Sequence, residues 1–173
     1  MSPDRWGLRP LGLDDVDAMH AVMSDPATWR HLPEGVFTRR EQTVEVVERA
    51  VADWSGVGLG QWAVLLEDVL VGGGGAMPQD GWWNLGFRLT PAVWGHGLAT
   101  WVADVGLAAA RRTRAEWPVV ARSLSSNPAS ARVSENAGLA LVHRGPSPHG
   151  PDLVVHADRP LDHDLLAAIV ALG

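Results

Sequence analysis

The spacing of hydrophobic residues changes from segment to segment along the chain and predicts an alternation of strands and helices. Residues 82–90 are rich in aromatic and aliphatic side chains and are bounded by Gly81 and Pro91, a pattern typical of a strand. Apolar residues then recur at every third or fourth position from Leu98 to Ala109, which is helical spacing. The chain therefore passes from a strand into a helix across a short glycine-containing segment.

The same criteria, applied to the whole chain, predict a mixed α/β (α+β) domain of about seven strands and four or five helices. No linker, internal repeat or low-complexity tract interrupts the pattern, so we expect one domain over residues 1–173. The predicted strands are residues 6–11, 61–67, 69–77, 82–90, 118–123, 139–143 and 153–157, and predicted helices begin near residues 14, 38, 98, 127 and 162.

The first two predicted helices carry N-terminal signals. Asp14 is a predicted N-cap for the first helix. Residues 38–41 (TRRE) match a capping box that opens the second helix. The apolar residues that we expect on the buried sides are Val16, Met19 and Met23 in the first helix, and Val44, Val47, Val51 and Trp54 in the second.

The glycine-containing segment, residues 94–100 (WGHGLAT), has the arrangement of a phosphate-binding turn. A strand, a glycine turn and a helix in that order place backbone N–H groups at the positive end of a helix dipole, where an anion binds. An ordinary strand-to-helix turn explains this local motif equally well. The run Gly72–Gly75 is not followed by a helix, so it indicates a bulged strand or a close backbone approach.

Composition excludes several kinds of site. All 14 basic residues are Arg, and the chain has no Lys, Cys or Tyr. The absence of Lys excludes a Walker A loop and Schiff-base chemistry, and the absence of Cys excludes thiolate nucleophiles, disulfides and thiolate metal sites. A dinucleotide fingerprint at Gly95, Gly97 and Ala99 is disfavoured, because Glu116 precedes the next apolar run rather than ending it.

The net charge and the hydropathy of the chain limit the kinds of partner that the protein can bind. The formal net charge of −6 argues against binding to nucleic acid by broad phosphate neutralisation. No apolar run approaches the ~20 residues of a membrane span. Residues 1–5 have no signal-peptide pattern, so we expect a cytoplasmic protein.

Four segments in order resemble the GNAT N-acetyltransferase superfamily and, within it, the RimJ/RimL subgroup of ribosomal-protein N-terminal acetyltransferases. Together they span most of residues 6–160. They are Leu8–Leu11 with Asp14, Asp15 and residues 24–26; residues 85–91; residues 94–100; and residues 127–130 with residues 135–139. The resemblance implies a mostly antiparallel sheet whose splayed central strand pair binds CoA, with acetyl-CoA as acetyl donor.

The resemblance also implies which residues bind the cofactor. The pyrophosphate lies across backbone N–H groups of the glycine turn, the Thr100 hydroxyl adds a side-chain donor, and the fourth strand pairs with the pantetheine arm through backbone groups. Trp94 replaces the usual Gln or Arg at the start of the turn and is compatible with the subgroup. The implied cofactor-binding residues are Phe87, Arg88, Leu89, Trp94, Gly95, His96, Gly97, Leu98, Ala99, Thr100, Asn127 and Ser130.

Asn127 and Ser130 have local explanations beside their implied roles. Asn127 before Pro128 is a predicted helix N-cap, and Gly138 is the C-terminal glycine of the same helix. The resemblance adds a hydrogen bond from Asn127 to the pantetheine arm and places Ser130, the one implied catalytic residue, near the thioester sulfur. The local alternative for Ser130 is a first-turn hydroxyl bonded to the backbone. The resemblance implies a proton donor to the leaving thiolate, a role for which many members of the superfamily use a Tyr that this chain does not have.

The general base and the acceptor stay open. A carboxylate, a histidine or a water chain must take the proton of the amine, and Asp80, Glu67, His31 and Glu34 are the residues considered, whereas the His96 side chain is expected to face solvent. The loop of residues 31–37 borders the acceptor site in the family. Trp29, Trp54, Trp82 and Trp83 line an apolar cleft or, as the alternative, belong to the core.

The sequence supports two functional hypotheses. The first is an acetyl-CoA-dependent N-acetyltransferase that acts, as monomer or homodimer, on the primary amine of a protein or peptide N-terminus or of a small molecule. A peptide N-terminus, a polyamine and an aminoglycoside are all cationic amines that an acidic protein attracts. The second is a catalytically silent acyl-CoA-binding module with a regulatory or sensing role. No metal site is predicted.

Overall fold

The computed structural model describes residues 5–172 and shows seven strands and five α-helices. Residues 1–4, on which part of the signal-peptide expectation rests, and residue 173 lie outside the described residues. The elements are β1 (Trp6–Pro10), α1 (Val16–Met23), α2 (Arg40–Gly56), β2 (Trp62–Leu66), β3 (Val69–Pro78), β4 (Trp83–Leu89), α3 (Leu98–Thr113), β5 (Val119–Leu124), α4 (Pro128–Asn136), β6 (Ala140–Gly145), β7 (Leu153–Ala157) and α5 (His163–Ala171).

All seven strands form one sheet in the order β1-β2-β3-β4-β5-β7-β6. Every neighbouring pair is antiparallel except β4 and β5, which are parallel. Parallel neighbours need a crossover connection, and α3 supplies it. The predicted fold class, a mostly antiparallel mixed sheet flanked by helices, is confirmed.

Helices cover both faces of this sheet. Leu85 of β4 packs with Ala103 and Leu107 of α3, and α4 lies on the same side, which we call the α3 face. On the opposite side, the α1 face, Val47 of α2 packs against Ala63 of β2. Helix α5 covers the other end of the α1 face, where Ile169 joins Val120, Val155 and Trp82. Each β4 side chain therefore points either to the α3 face or to the α1 face of the sheet.

Strands β4 and β5 separate soon after they meet. Their register comprises two pairs, Trp83 with Val119 and Asn84 with Val120, although β4 continues to Leu89 and β5 to Leu124. The outer edge of β4 stays paired with β3, and the outer edge of β5 stays paired with β7. The inner edges beyond Asn84 and Val120 thus form an opening in the middle of the sheet, which we call the splay.

The run Gly72–Gly75 lies inside β3, and the structure shows both the bulge and the close approach that the sequence offered as alternatives. The register between β2 and β3 shifts at Val64 and Leu65, opposite this run. A Cβ at Gly74 would come within 2.9 Å of both Phe87 Cβ and Val102 Cγ1. Glycine is needed there because α3 and β4 pack directly on the β3 backbone.

Three local predictions in the first two helices are wrong. Asp14 caps nothing: it lies in a short 3-10 helix, and Asp15 instead accepts a hydrogen bond from the Gly12 N–H at 2.9 Å. Gln42, not Glu41, accepts from the backbone N–H groups before α2. Val51 is 36% exposed because the buried stripe of α2 runs through Thr43, Val47 and Ala50.

Within residues 5–172, no helix combines the length and the apolar character needed to cross a membrane. In the same part of the chain, no group of three or more His, Asp or Glu side chains is arranged to hold a metal ion.

Candidate active site

The splay opens into a cleft of about 900 Å³. Its floor is the unpaired stretch of β4 and the end of β5. One wall, on the α3 face, is the glycine turn with the first turns of α3 and α4. The other wall, on the α1 face, includes the loop of residues 27–32 and His149 from the loop between β6 and β7.

The glycine turn has the backbone conformation that the sequence predicted. Gly95 and Gly97 have φ angles of +78° and +85°, in the left-handed region that disfavours side chains with a Cβ. Gly97 is the N-cap of α3, and the N–H groups of the first helical residues have no intrahelical partner. The positive end of the α3 dipole and a row of free donors therefore face the cleft.

Eleven of the twelve predicted cofactor-binding residues line this cleft, and His96 does not. The His96 side chain is exposed, as expected. The eleven lining residues are Phe87, Arg88, Leu89, Trp94, Gly95, Gly97, Leu98, Ala99, Thr100, Asn127 and Ser130.

Trp94 connects the turn to the end of β4. Its indole N–H donates to the Leu89 carbonyl at 2.9 Å, while 43% of the residue stays exposed. The bond satisfies a carbonyl at the unpaired edge of β4 and fixes the distance between that strand and the glycine turn.

The open edge of β4 presents the backbone groups of alternate residues. The Trp83 N–H donates to the Pro118 carbonyl at 2.9 Å, so Trp83 directs its backbone groups toward β5. Because backbone groups alternate between the two edges of a strand, those of Leu85, Phe87 and Leu89 point the same way. By the same alternation the backbone groups of Arg88 point to β3, as those of Thr90 do, whose N–H donates to the Val71 carbonyl, so they are directed away from the splay. The expectation that Arg88 contributes backbone groups is wrong for this reason.

Helix α4 begins at the cleft as predicted. The Asn127 side-chain oxygen accepts from the Ser130 N–H at 3.2 Å, and Pro128 is the first helical residue. This cap uses the oxygen of the amide and leaves its NH₂ group for other partners. The Ser130 residue lines the cleft in the first turn of α4, on the same wall as the glycine turn.

The Arg88 side chain reaches the opposite wall. Its guanidinium donates to the Thr28 carbonyl and lies over the Trp29 ring at 3.3 Å from the centroid. Burial lowers the pKa of Arg88 to about 10, so the group stays cationic at neutral pH. Sequence reasoning missed this side chain because its partners lie 60 positions earlier in the chain.

His31 completes this wall. Its ring stacks on Trp29 with the centroids 6.4 Å apart, and it lines the cleft. Burial and the nearby Arg88 charge lower the pKa of His31 below its usual 6.5. The imidazole is therefore neutral at pH 7, the form that accepts a proton.

The other residues considered as bases lie elsewhere. Glu67 forms an ion pair with Arg5 at the turn between β2 and β3, and Asp80 is exposed in the loop before β4. Glu34 lies outside the cleft, with its carboxylate 3.5 Å from His149 Nδ1. Of the four, His31 alone is among the lining residues.

The four tryptophans considered for an apolar cleft lie in the core. Trp29, Trp82 and Trp83 are 7%, 4% and 0% exposed, and none of the three lines the cleft. Trp54 is half-buried and donates its indole N–H to the Gln61 carbonyl. The alternative that they are core residues is the correct one, and the cleft has a mixed lining of polar and apolar side chains.

The lining residues of the cleft are cationic or neutral. Within residues 5–172 no Asp or Glu lines it, although the chain carries 20 acidic residues. Burial lowers the pKa of Arg122 as it does that of Arg88. The ionisable lining residues are Arg30, Arg88, Arg122, Arg132, His31 and His149.

Comparison with known proteins agrees with this geometry. The acetyltransferase (GNAT) domain family matches residues 5–140. A GNAT-family acetyltransferase from Bacillus anthracis is similar in structure, with 25% identity over 88% of this chain and 93% of that one and a TM-score of 0.73.

Two structures of lower sequence identity share the fold. The ribosomal L7/L12 α-N-protein acetyltransferase RimL, in complex with CoA, has 17% identity over 91% of this chain and 95% of that one, with a TM-score of 0.74. A spermidine N-acetyltransferase from Vibrio cholerae, in complex with CoA and spermine, has 12% identity over 89% and 95% of the two chains, with a TM-score of 0.72. No curated protein sequence matches the chain. On the family match, which covers most of its length, the chain belongs to the GNAT acetyltransferase domain family.

Proposed function

We propose that the protein is an acetyl-CoA-dependent N-acetyltransferase that moves an acetyl group to a primary amine by direct attack on the thioester. The observation that carries the proposal is the splay. It joins an unpaired strand edge to a glycine turn whose free N–H groups lie at the start of α3. A long ligand with a pyrophosphate at one end and an amide-containing arm fits both parts.

In this arrangement the CoA pyrophosphate accepts hydrogen bonds from the backbone N–H groups of residues 96–100. The pantetheine arm pairs with the backbone groups of Phe87 and with the Leu89 N–H, since the Leu89 carbonyl already accepts from the Trp94 indole. The Asn127 NH₂ group donates to the arm from the other side. The RimL and spermidine acetyltransferase structures, which contain CoA and have the same fold, support this placement.

The chemistry then needs few groups. The neutral amine attacks the thioester carbonyl carbon, a C–N bond forms, and a β4 backbone N–H stabilises the oxyanion. The C–S bond breaks, the sulfur keeps the electron pair, and the Ser130 hydroxyl donates a hydrogen bond to the thiolate. The amine proton passes to His31, which is neutral at pH 7 and lines the acceptor side.

The finer assignment is to the RimJ/RimL subgroup, with which Trp94 at the start of the turn is compatible. The acceptors to be tested are therefore a peptide N-terminus, after RimL, a polyamine, after the spermidine acetyltransferase, and small amines of other kinds.

A silent CoA-binding module is the second candidate. It is favoured by the absence of Tyr from the chain and by the absence of carboxylates among the described residues that line the cleft. Release of CoA thiol from acetyl-CoA, measured over a panel of amines, separates the two. Thiol release with any amine supports the transferase. CoA binding by calorimetry without release supports the module, and failure to bind CoA contradicts both.

A further inference from the structure

We infer that the acceptor amine also bears an oxyanion, most simply a carboxylate, and that Arg88 on the α1-face wall binds it. The inference rests on the proposed function and names the substrate class for its acceptor side. It favours amino-carboxylates over a peptide N-terminus, which has an amide in place of the α-carboxylate, and over polyamines and aminoglycosides, which carry several positive charges.

Arg88 lies on the acceptor side of the splay and away from the cofactor phosphates. Phe87 and Leu89, its neighbours in β4, pack with α3 residues such as Val102. Side chains alternate along a strand, so Arg88 points to the α1 face, where its guanidinium meets Thr28. The strand itself therefore separates the guanidinium from the glycine turn.

The charge of Arg88 is not neutralised within the part of the chain that the structure describes. Its contacts there are the Thr28 carbonyl and the Trp29 indole, both uncharged. Five other arginines form ion pairs with carboxylates, whereas Arg88 forms none with any carboxylate of residues 5–172. A largely buried charge is stabilised by a counter-ion, and one carbonyl occupies only part of the five N–H donors of a guanidinium.

The surroundings of Arg88 also favour an anion, because they add positive charge to the cleft. The cleft carries Arg30 and Arg122 as well and, among the described residues, no carboxylate lines it. A polyamine would bring further positive charge to this wall with no acidic partner. A carboxylate beside the amine would instead be attracted and would leave the amine free to approach the thioester.

The guanidinium is also held in a fixed orientation. Trp29 packs against its face, and the Trp29 indole N–H donates to the Met23 carbonyl at 2.6 Å, so the ring itself is fixed. A planar cation held on an aromatic face has its edge donors directed outward, in the geometry that binds a carboxylate with two parallel hydrogen bonds.

The test compares acceptors that differ only in the anion. Each of a panel of L-amino acids is assayed beside its carboxamide, with spermidine as a third acceptor, and binding to the protein–CoA complex is measured in parallel by calorimetry. We expect at least one amino acid to exceed its carboxamide by about 10- to 100-fold in kcat/KM, the range of a charge-assisted bidentate contact. We expect spermidine to be the poorest acceptor.

The variant Arg88→Met keeps an apolar stem over Trp29 and removes the charge. The variant should bring the ratio of kcat/KM for the amino acid to kcat/KM for its carboxamide close to one, while leaving CoA affinity unchanged. If Arg88 only anchors the loop of residues 27–32, the variant will lower activity with both acceptors equally and the ratio will stay. Arg112→Met, on the exposed C-terminal turn of α3, is the matched control and should change neither value.

Three results overturn the inference. The first is a wild-type protein that binds or acetylates carboxamides or spermidine as well as it does amino acids. The second is an unchanged ratio in Arg88→Met, and the third is absence of amino-acid binding by the CoA complex. The proposed function fails separately, when CoA does not bind or no amine of any kind releases thiol.

Discussion

The wall of the cleft on the α3 face presents the backbone N–H groups of the glycine turn and, from α4, the Arg132 side chain, whereas the wall on the α1 face presents the side chains of Arg30 and Arg88. On the first wall, Gly95 and Gly97 give the chain the conformation that directs its donors to the cleft. On the second, Arg88 crosses from β4 to the loop at Thr28. Both walls suit anions, but they are built from different parts of the polypeptide.

This difference predicts how each wall responds to substitution. Backbone donors are not removed by changing a side chain, so the first wall is sensitive to changes in backbone conformation. Side-chain donors are removed singly, so the second wall loses affinity or selectivity one group at a time. The substitutions that follow test this contrast, beginning with the largest expected effect.

Gly97→Val should abolish measurable acetyl-CoA binding. A β-branched residue at a φ of +85° is strained, and relief of that strain redirects the N–H groups at the start of α3. Calorimetry with acetyl-CoA measures the effect. Gly58→Val, at a φ of +80° with no atom within 4 Å of the added Cβ, carries similar backbone strain away from the cleft.

Both glycine variants should lose about 1–3 kcal/mol of stability, the cost of one residue in a sparsely populated backbone region. Only Gly97→Val should lose the cofactor. Unchanged acetyl-CoA affinity in folded Gly97→Val protein would exclude the turn as the phosphate site.

His31→Gln should lower kcat by about 100- to 10,000-fold, the usual contribution of a general base. Because burial and Arg88 lower the pKa of His31, its neutral form persists below pH 6.5, and the activity of the wild type should fall only below that pH. The acidic limb should disappear from the residual activity of the variant. His163→Gln, an exposed histidine of α5, is the control, and a retained limb in His31→Gln would assign the proton to water.

Ser130→Ala should lower kcat with little change in acetyl-CoA affinity. A hydrogen bond that strengthens as charge develops on sulfur stabilises the transition state more than the ground state. Loss of one oxyanion-type donor lowers kcat by about 10- to 1,000-fold. Because sulfur is a weak acceptor, we expect the low end of this range for Ser130→Ala. Ser134→Ala is the matched control one turn along α4, since that hydroxyl bonds to the Ser130 carbonyl. Full activity in Ser130→Ala would remove Ser130 from the mechanism.

Asn127→Ala should have the smallest effect, a loss of about 1 kcal/mol of stability together with weaker acetyl-CoA binding. Asp162→Ala removes the equivalent cap of α5, where the carboxylate accepts from the Leu165 N–H at 2.8 Å, away from the cleft. Thermal melts should show similar losses for both variants. If acetyl-CoA affinity falls equally in both, or in neither, Asn127 is a helix cap only.

The two walls also differ in how far the sequence predicted them. The α3-face wall carries local signals, two glycines before a helix and an Asn-Pro pair at the start of another, which predict its turns and helix starts. The cofactor-binding role of its residues follows from the family resemblance. The strand order needed the family resemblance in addition, because local spacing does not determine which strands pair.

The α1-face wall depends on contacts between residues far apart in the chain. Arg88 was expected to act through its backbone, since nothing in residues 82–90 indicates that its side chain meets Thr28 and Trp29. The capping-box prediction at the start of α2 was wrong for a more local reason. Gln42 and Glu41 are adjacent, and the Gln42 amide rather than the Glu41 carboxylate reaches the free N–H groups.

A crystal structure of the protein with CoA tests the central claim, that the backbone wall binds the cofactor and leaves the arginine wall for the acceptor. The account predicts pyrophosphate oxygens within about 2.7–3.2 Å of backbone nitrogens in residues 96–100, with the sulfur beside Ser130. The Arg88 guanidinium should then make no contact with CoA. Phosphate groups bound to Arg88 or Arg122 on the α1 face would contradict the account.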